Sequence, residues 1–415
     1  MGLTLVVPLE EDWRRALDAV AHRHRWPASG DVARLAARTI ALSAAYNDAS
    51  VARASLADAG GARLGFAFAR DVPKGAGAVR ELVASGALGF GARPMRVLDV
   101  GAGLGAMTWG LARALEAFGE CGVVEATWLD AEGAALELGA EIVRERQGSG
   151  VGRSFAEKGV ELHVTKVVRS IERPVEALGK LDPFDVVLAG HVLSELDVGV
   201  AAEARVERHA ALIGTLLERY TSETGALVLV EPALRDRTRH LHRVRDALVA
   251  RGATVFAPCT HQAPCPALER ETDWCHEDLP VDLPGWLVPI ARAAGLRHEG
   301  LTFSYLVLRK RGAPFAASLA APPGAGRMRI VSELIRTKGK REVFVCGEMP
   351  RADGGEVVAA RVRAVRLDRS ATEKNTVWAD LVRGDVVAVD PPFTVERPRV
   401  EPAARVMRSG DTESR

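Results

Sequence analysis

Aromatic residues, net charge and long apolar runs are all scarce in this sequence. Phe, Trp and Tyr make up 5% of the 415 residues, and 55 Lys and Arg nearly balance 54 Asp and Glu, for a net charge of +1. Near-neutrality excludes a general attraction to nucleic acid, so any such contact must come from a local patch. Because no stretch approaches about 20 uninterrupted apolar residues, no membrane span is predicted. The hydrophobic share of 47% and the charged share of 26% are typical of a globular protein.

Cysteine and targeting signals are also sparse. The five cysteines are an odd number, and the short apolar run of residues 3–8 lacks the basic start and the longer core of a signal peptide. These features argue against a disulfide framework and predict a cytoplasmic protein, for which a monomer is favoured. Three of the cysteines nevertheless fall between Cys259 and Cys275, and this concentration requires an explanation.

The arrangement of apolar residues divides the chain into five regions. At about 150 residues per domain, a chain of this length accommodates two or three domains. We expect a helical region (1–90), an α/β domain with a cysteine-containing loop at 257–276 (91–311), a Pro- and Gly-rich linker (312–326), a small basic β-domain (327–390) and a loose tail (391–415).

Short apolar runs alternate with amphipathic stretches between residues 95 and 310. This alternation predicts an α/β fold, in which helices cover both faces of a mostly parallel sheet. The predicted strands of this sheet are 96–100, 123–130, 160–167, 184–190, 226–231 and 302–308. The predicted helices are 33–46, 77–87, 106–118, 132–146, 204–219, 237–250 and 286–294, and the β-domain is predicted to contain strands at 343–346, 357–367, 376–381 and 385–389.

A glycine-rich turn follows the first predicted strand of the sheet. Gly101, Gly103 and Gly105 permit a tight turn into a helix, whose free N–H groups can face a ligand. Asp99 precedes the turn, and Asp130 ends the next strand, where an acid can bind ribose hydroxyls. Together these residues resemble the S-adenosylmethionine site of the class I methyltransferases. The alternatives are an NAD or nucleotide-sugar enzyme, and a turn that only packs helix against strand.

The fourth strand ends at Gly190, and the resemblance places the next residue, His191, beside the methyl donor. His191 and Glu195 could act as a general base pair, or they could hydrogen-bond the loop and cap the following helix. The Asn/Asp-Pro-Pro-aromatic motif of many amino-group methyltransferases does not occur at this strand end. Residues 390–393 do spell it, but they lie beyond the β-domain, and we interpret them as a chance match.

The cysteines indicate a metal centre. Cys259, Cys265 and Cys275 lie in a loop rich in polar residues and proline, and Cys346 is the thiol available to complete a set of four. The spacing does not match the CxxC pairs of zinc ribbons, so four thiolates suit either zinc or an iron–sulfur cluster. His261 and His276 could replace one cysteine, and the remaining alternative is free buried cysteines.

The cysteine motif, Ala-Pro-Cys-x5-Cys-Pro followed by Asp-Trp-Cys-His, gives a more definite resemblance. On a methyltransferase fold it resembles the methyltransferase-like proteins of mitochondrial small ribosomal subunit assembly and their bacterial relatives. Residues 66–80 and the basic run 336–341 are also similar to that family, so the resemblance covers about residues 60–385. It implies association with small-subunit rRNA during assembly. It also implies a [4Fe–4S] cluster on Cys259, Cys265, Cys275 and Cys346.

Two basic segments are candidate RNA contacts. Residues 327–345 carry six basic side chains against two acidic ones, and such a patch can hold RNA phosphates. The helix after Glu231 adds Arg235, Arg237, Arg239, Arg243 and Arg245. Three functions stay open: an rRNA-binding assembly factor, an active rRNA methyltransferase, and a small-molecule methyltransferase with a zinc site. The sequence identifies no catalytic residue.

Overall fold

The computed structural model describes residues 5–47, 56–148, 159–318, 325–352 and 357–408. The helices are α1 (Glu11–Arg23), α2 (Val32–Asn47), α3 (Leu56–Ala62), α4 (Ala69–Ala84), α5 (Ala106–Phe118), α6 (Gly133–Gly148), α7 (Pro174–Leu178), α8 (Ala202–Thr215), α9 (Arg235–Ala250) and α10 (Val288–Ala293). The strands are β1 (Met95–Val100), β2 (Gly122–Asp130), β3 (Val160–Val168), β4 (Phe184–Gly190), β5 (Thr221–Glu231), β6 (Thr254–Ala257), β7 (Glu277–Leu279), β8 (Leu301–Arg309), β9 (Arg327–Ile330), β10 (Ile335–Thr337), β11 (Lys340–Pro350), β12 (Val357–Leu367), β13 (Val386–Val389) and β14 (Val406–Arg408).

The first sheet confirms the predicted α/β fold. Its strand order is β3-β2-β1-β4-β5-β8-β6, and β7 pairs with β8 outside this path. Strands β1 to β5 are mutually parallel, whereas β8 is antiparallel to β5, β6 and β7. Because the parallel strands run in one direction, the loops after β1, β2, β4 and β5 meet at a single edge of the sheet.

The N-terminal helices pack against this sheet. The predicted helix at 33–46 corresponds to α2, and the predicted one at 77–87 belongs to the longer α4. Trp13 of α1 is buried, and its ring meets that of Trp109 on α5 edge-on, with 4.7 Å between centroids. Helices α4 and α5 approach so closely that a Cβ on Gly110 would lie 2.5 Å from the carbonyl oxygen of Val72. These contacts make the helical region one wall of the first sheet's core.

The second sheet is antiparallel and forms the C-terminal part of the described structure. Its order is β10-β11-β9-β13-β14, with β12 paired to β11. The strand predicted at 376–381 is wrong, because Glu373–Ala379 forms a 3-10 helix that begins in a capping box between Thr372 and Asn375. Within the expected loose tail (391–415), β14 pairs with β13, and Val400 is buried. Residues 409–415, and residues 319–324 of the expected linker, lie outside the described residues.

A buried set of charged side chains joins the two sheets, and we call it the charge network. Arg80 of α4 donates to Glu277 of β7 (2.6 Å), and Arg329 of β9 donates to Glu81 of α4 (2.6 Å). The hydroxyl of Tyr305 on β8 donates to Glu81 (3.2 Å). All five side chains are buried. The two arginines balance the charge of the two glutamates, so no net charge is left in this part of the interior. None of the helices in the described ranges is long and apolar enough to cross a membrane.

Candidate functional site

A glycine loop joins β1 to α5 at the edge where the parallel strands end. Gly101, Gly103 and Gly105 have positive φ values of 64°, 53° and 81°, a conformation that side chains disfavour. An added Cβ would lie 2.7 Å from Val192 at position 101 and 2.3 Å from the Trp128 ring at position 105. At Gly103 it would meet nothing within 4 Å in the described part of the chain, so a ligand can approach the backbone there.

The glycine loop lines a cavity of about 350 Å³, which we call the first cavity. Asp130, at the end of β2, also lines it. Its Oδ2 accepts the N–H of Gly103 (2.9 Å), and its Oδ1 accepts the N–H of Glu132 (2.8 Å). Of the residues predicted to bind the donor, the structure brings Gly101, Gly103, Asp130 and His191 together around this cavity. The other two, Asp99 and Gly105, do not line this cavity in the described structure.

Asp99 supports the loop from inside the protein core. It is buried, and its Oδ2 accepts both the N–H (3.1 Å) and the hydroxyl (2.6 Å) of Thr108 near the start of α5. The hydroxyl of Thr108 in turn accepts the indole N–H of Trp128 (2.9 Å). Burial raises the pKa of Asp99 to about 7. The chain Trp128–Thr108–Asp99 therefore fixes the ring against which Gly105 packs.

His191 occupies the loop after β4 in a left-handed conformation, with φ at 63°. Its backbone N–H donates to the carbonyl of Val230 (2.7 Å). Its Nε2 lies 3.9 Å from Oδ2 of Asp71 and has no hydrogen-bond partner among the described residues. Burial lowers the pKa of His191 to about 4, so the ring is neutral near pH 7. Glu195, the partner considered from the sequence, lines the same cavity.

Asp71 and Lys74 form a buried ion pair beside His191. The Nζ of Lys74 donates to Oδ1 of Asp71 (2.7 Å), and the Lys74 side chain is only 7% exposed. Burial alone would raise the pKa of Asp71, but the charges of Lys74 and Arg70 hold it well below its ordinary value. Sequence reasoning missed both residues. The signal available was a pair of charged residues one turn apart on a helix face that is otherwise apolar.

A second cavity of about 360 Å³ adjoins the first. Both cavities are lined by Tyr46, Ala67, Asp71, His191 and Glu195. The other walls of the second cavity include four cationic side chains and several apolar ones: Arg70, Lys74, Arg237, Arg297, Leu42, Phe66, Leu234, Leu283 and Leu301. Two spaces of similar size therefore share a wall that contains a neutral imidazole and a buried ion pair.

Glu231 holds the loop that carries His191. It ends β5, is 2% exposed, and accepts the backbone N–H groups of Leu193 (2.8 Å) and Ser194 (3.2 Å). Burial raises the pKa of Glu231 to about 7. Its carboxyl group is thereby engaged in positioning the backbone.

The cysteine-containing loop, residues 257–276, packs against the second sheet, and we call it the Cys loop. Cys259, Cys265 and Cys275 lie on the Cys loop, whereas Cys346 lies on β11. The hydroxyl of Thr260 donates to the carbonyl of Cys346 (3.4 Å), and the Sγ of Cys346 lies 3.8 Å from Nε2 of His261. The structure thus brings thiols from both sheets to one interface.

The four thiols are close enough for their charges to interact. Burial, followed by repulsion from Cys259, raises the pKa of Cys275 to about 11. Burial also raises the pKa of Cys346 well above its ordinary value, with further contributions from Cys275, Cys259 and Cys265. Cys346 and the cysteines of the Cys loop therefore lie in one region of the protein, although Cys275 and Cys346 are 71 positions apart in the sequence.

The donor set fits a metal centre in residue type. Across the described ranges, no group of three or more His, Cys, Asp or Glu side chains has the arrangement of a metal site. The convergent sulfur atoms are nevertheless ligands that zinc and iron–sulfur clusters prefer. Nδ1 of His261 and Nδ1 of His276 are also buried without a hydrogen-bond partner in the part of the chain described. The residue types therefore suit a metal centre, whereas the described side chains do not have the geometry of a coordinated metal.

Two arginines of α9 hold the Cys loop in place. Arg239 donates to the carbonyls of Ala267 (2.9 Å) and Asp273 (2.6 Å), and Arg245 donates to the carbonyl of His261 (2.8 Å). Arg245 is 1% exposed. The expectation that Arg245 contacts RNA is wrong, because its guanidinium group is buried and engaged by loop carbonyls, whereas Arg239 is partly buried and engaged by the same loop. Arg235 and Arg243 of the same helix are exposed.

The basic segment 327–345 forms β9, β10 and most of β11. Arg329 belongs to the charge network, so its assignment to an RNA-binding patch is wrong. Lys340 donates to Glu342 (3.0 Å), which removes part of the remaining positive charge. Arg336 and Lys338 are exposed at and beside β10. The basic surface is therefore smaller than the sequence predicts.

Comparisons with known proteins place the chain in a family. The family model described as "Mitochondrial small ribosomal subunit Rsm22" matches residues 86–382. Similar solved structures include the plantazolicin methyltransferase BpumL with SAH (11% identity, covering 68% of this chain and 98% of that one, TM-score 0.34). Others are a SAM-dependent methyltransferase from Agrobacterium tumefaciens (14%, 56% and 63%, 0.31) and an rRNA methylase from Streptococcus thermophilus (15%, 53% and 89%, 0.27).

No curated protein matches the sequence. The family model, however, spans most of the chain, from just after α4 to just before β13, and so includes the glycine loop and all four convergent cysteines. The resemblance inferred from the cysteine motif is confirmed. The chain belongs to the family whose model is described as "Mitochondrial small ribosomal subunit Rsm22".

Proposed function

We propose that this chain is an S-adenosylmethionine-binding, methyltransferase-like factor that associates with the RNA of the small ribosomal subunit. The observation that carries the proposal is the first cavity, where the glycine loop, Asp130 and His191 meet at the edge of the parallel strands. The family name supports the ribosomal part, because it describes a protein of the small ribosomal subunit.

The residues around the first cavity fit the donor. Asp130 ends the second strand, where a carboxylate can bind ribose hydroxyls, and its orientation is fixed by two backbone N–H groups. The open space at Gly103 lets a ligand approach the backbone. When bound, S-adenosylmethionine supplies an activated methyl group. His191 and Asp71 line both the first and the second cavity.

Calorimetry tests the donor site. Asp130→Ala is expected to weaken S-adenosylmethionine binding about 10- to 100-fold, because hydrogen bonds to a charged group contribute about 1.5–3 kcal/mol. Glu125→Ala is the matched control, since Glu125 is an exposed acid on the same strand. If both variants bind the donor as the unmodified protein does, Asp130 is not part of the site.

A second candidate function is methyl transfer to that RNA. It is favoured by the second cavity, which provides space for an acceptor next to the donor, and by a neutral imidazole in the shared wall. Proximity of the two bound groups would then contribute most of the rate enhancement.

The four cysteines are our candidates for a [4Fe–4S] cluster, with zinc as the alternative. Two observations support this. The thiols of Cys259, Cys265, Cys275 and Cys346 are close enough to influence one another's pKa, and iron–sulfur clusters prefer sulfur ligands. Such a centre would link the Cys loop to β11. Metal binding would then contribute to the stability of the interface between the two sheets.

Metal analysis of anaerobically purified protein tests the cluster. We expect brown protein with about four irons per chain, the content of a cluster held by four thiolates. Cys346→Ser should lower the iron content, whereas Cys121→Ser should leave it unchanged, because Cys121 is exposed and lies outside the Cys loop. Colourless protein with one zinc per chain would replace the cluster by a zinc site, and full iron in Cys346→Ser would remove Cys346 as a ligand.

Exposed basic side chains at two places are the candidate RNA surface. Arg336 and Lys338 lie at and beside β10, and Arg235 and Arg243 lie on α9. These cations can contact phosphates without reading sequence, so RNA affinity should fall as the salt concentration rises.

A further inference from the structure

The second cavity shares five lining residues with the first: Tyr46, Ala67, Asp71, His191 and Glu195. Asp130 and Ser170 line the first cavity, whereas the residues common to both include His191 and Asp71. A ligand in the second cavity therefore contacts the first beside the loop after β4 and not at the end of β2. This is the position in which a second molecule would meet a donor whose ribose is held at Asp130.

The second cavity has a surplus of positive charge. Its cations are Arg70, Lys74, Arg237 and Arg297, and its carboxylates are Asp71 and Glu195. Lys74 is paired with Asp71 inside the wall (2.7 Å), and Arg297 is paired with Asp278 (2.9 Å). Arg70 lies 3.5 Å from Asp71, and Arg237 donates to the backbone carbonyl of Tyr46 (2.7 Å). Counting Asp278, four cations stand against three carboxylates, so a net positive potential remains and favours an anionic ligand.

The remaining walls favour a planar apolar group beside that anion. Phe66 is buried at the back of the cavity, and the guanidinium carbon of Arg70 lies 5.6 Å from its ring centroid. Tyr46 is 39% exposed and belongs to both cavities. Aromatic rings and arginine planes are surfaces on which unstacked nucleobases pack. The volume of about 360 Å³ also lies within the range of pockets that enclose small ligands.

The geometry points to the second cavity as the binding site for one unpaired nucleotide of RNA, with its phosphate at Arg70 and Arg237 and its base toward His191. The Nε2 of His191 is buried and lacks a partner within the described residues, so a base edge would satisfy it. This inference rests on the proposed function and adds to it the class of ligand that the second cavity binds. A free nucleoside monophosphate has the same chemistry, and the experiment separates the two sources.

Fluorescence anisotropy of the full chain measures the binding. The probe is a labelled single-stranded oligoribonucleotide of about eight nucleotides, and free nucleoside monophosphates serve as competitors. Arg70→Gln and Arg237→Gln should each weaken oligonucleotide binding about 10-fold, as expected for loss of a charge-assisted contact. Arg144→Gln is the matched control, because Arg144 is an exposed arginine of α6 that lines neither cavity in the described structure and is not part of the candidate RNA surface. Its effect should be less than about 2-fold, as for a solvated surface charge.

Four outcomes decide the inference. Selective weakening by the cavity variants, with 4-thiouridine in the probe crosslinking to Tyr46 or Phe66, supports it. Equal weakening by Arg144→Gln and Arg237→Gln overturns it, because the probe would then be held by surface charge in general and not by the second cavity, and the proposed function would stand. Competition by monophosphates at the same concentration as the oligonucleotide overturns RNA as the source. No oligonucleotide binding, with donor binding intact, overturns both this inference and the RNA association of the proposed function.

Discussion

Arg329→Met is expected to lower the free energy of unfolding by about 3–5 kcal/mol, the range for breaking a buried ion pair by removing one partner. Arg329 is buried and donates to Glu81 (2.6 Å) and to the carbonyl of Gly384 (2.9 Å). Without it, the buried Glu81 carboxylate keeps the hydroxyl of Tyr305 as a neutral donor, and its nearest cation is Arg80 at 3.9 Å, which already donates to Glu277. Denaturant unfolding followed by circular dichroism measures the change.

Two further variants separate this charge effect from a packing effect. Arg336→Met changes an exposed arginine of β10 and should alter stability by less than about 0.5 kcal/mol. The double variant Glu81→Leu with Arg329→Met removes both charges, so it should be more stable than Arg329→Met alone. If the double variant is the less stable one, the unpaired carboxylate is not the cause.

Gly105→Ala is expected to destabilise the protein by about 2–5 kcal/mol, from a strained left-handed backbone and overpacking together. The φ of Gly105 is 81°, and its added Cβ would lie 2.3 Å from the ring of Trp128. That ring cannot move easily, because it is fully buried and its indole N–H donates to Thr108 (2.9 Å). Thermal unfolding measures the loss.

Gly103→Ala is the matched control for Gly105→Ala. Gly103 also has positive φ, at 53°, but its Cβ would have no neighbour within 4 Å among the described residues. Only the backbone strain should remain, about 1–2 kcal/mol. Equal destabilisation by the two variants would show that the Trp128 contact contributes nothing.

The elements with strong local patterns could be predicted from the sequence. The predicted helix 106–118 and the predicted strands 184–190 and 357–367 match α5, β4 and β12 in their bounds. In each case the spacing of the apolar residues and the structure-breaking residues at the two ends predict the same element. The prediction of a strand at 376–381 is wrong. Val377 and Trp378 are residue types that favour strands, whereas the capping box at Thr372 starts a 3-10 helix just before them.

The candidate site could be predicted only in part. The glycine loop and Asp130 are contiguous with strands, so their position follows from the parallel topology. Asp71 and Lys74 lie on α4, and only tertiary packing brings them to His191. The role of the α9 arginines could not be predicted for a related reason. A run of basic residues suggests contact with RNA, but it does not reveal which of these residues donate to carbonyl groups of a distant loop.

The charge network has a consequence for the position of two cysteines. Glu277 lies two residues after Cys275, and Arg329 is the register partner of Cys346 across β9 and β11. Both charged residues pair with side chains of α4, so one helix anchors the two chain segments that carry these cysteines. A substitution at Arg80 or Glu81 would therefore disturb both segments.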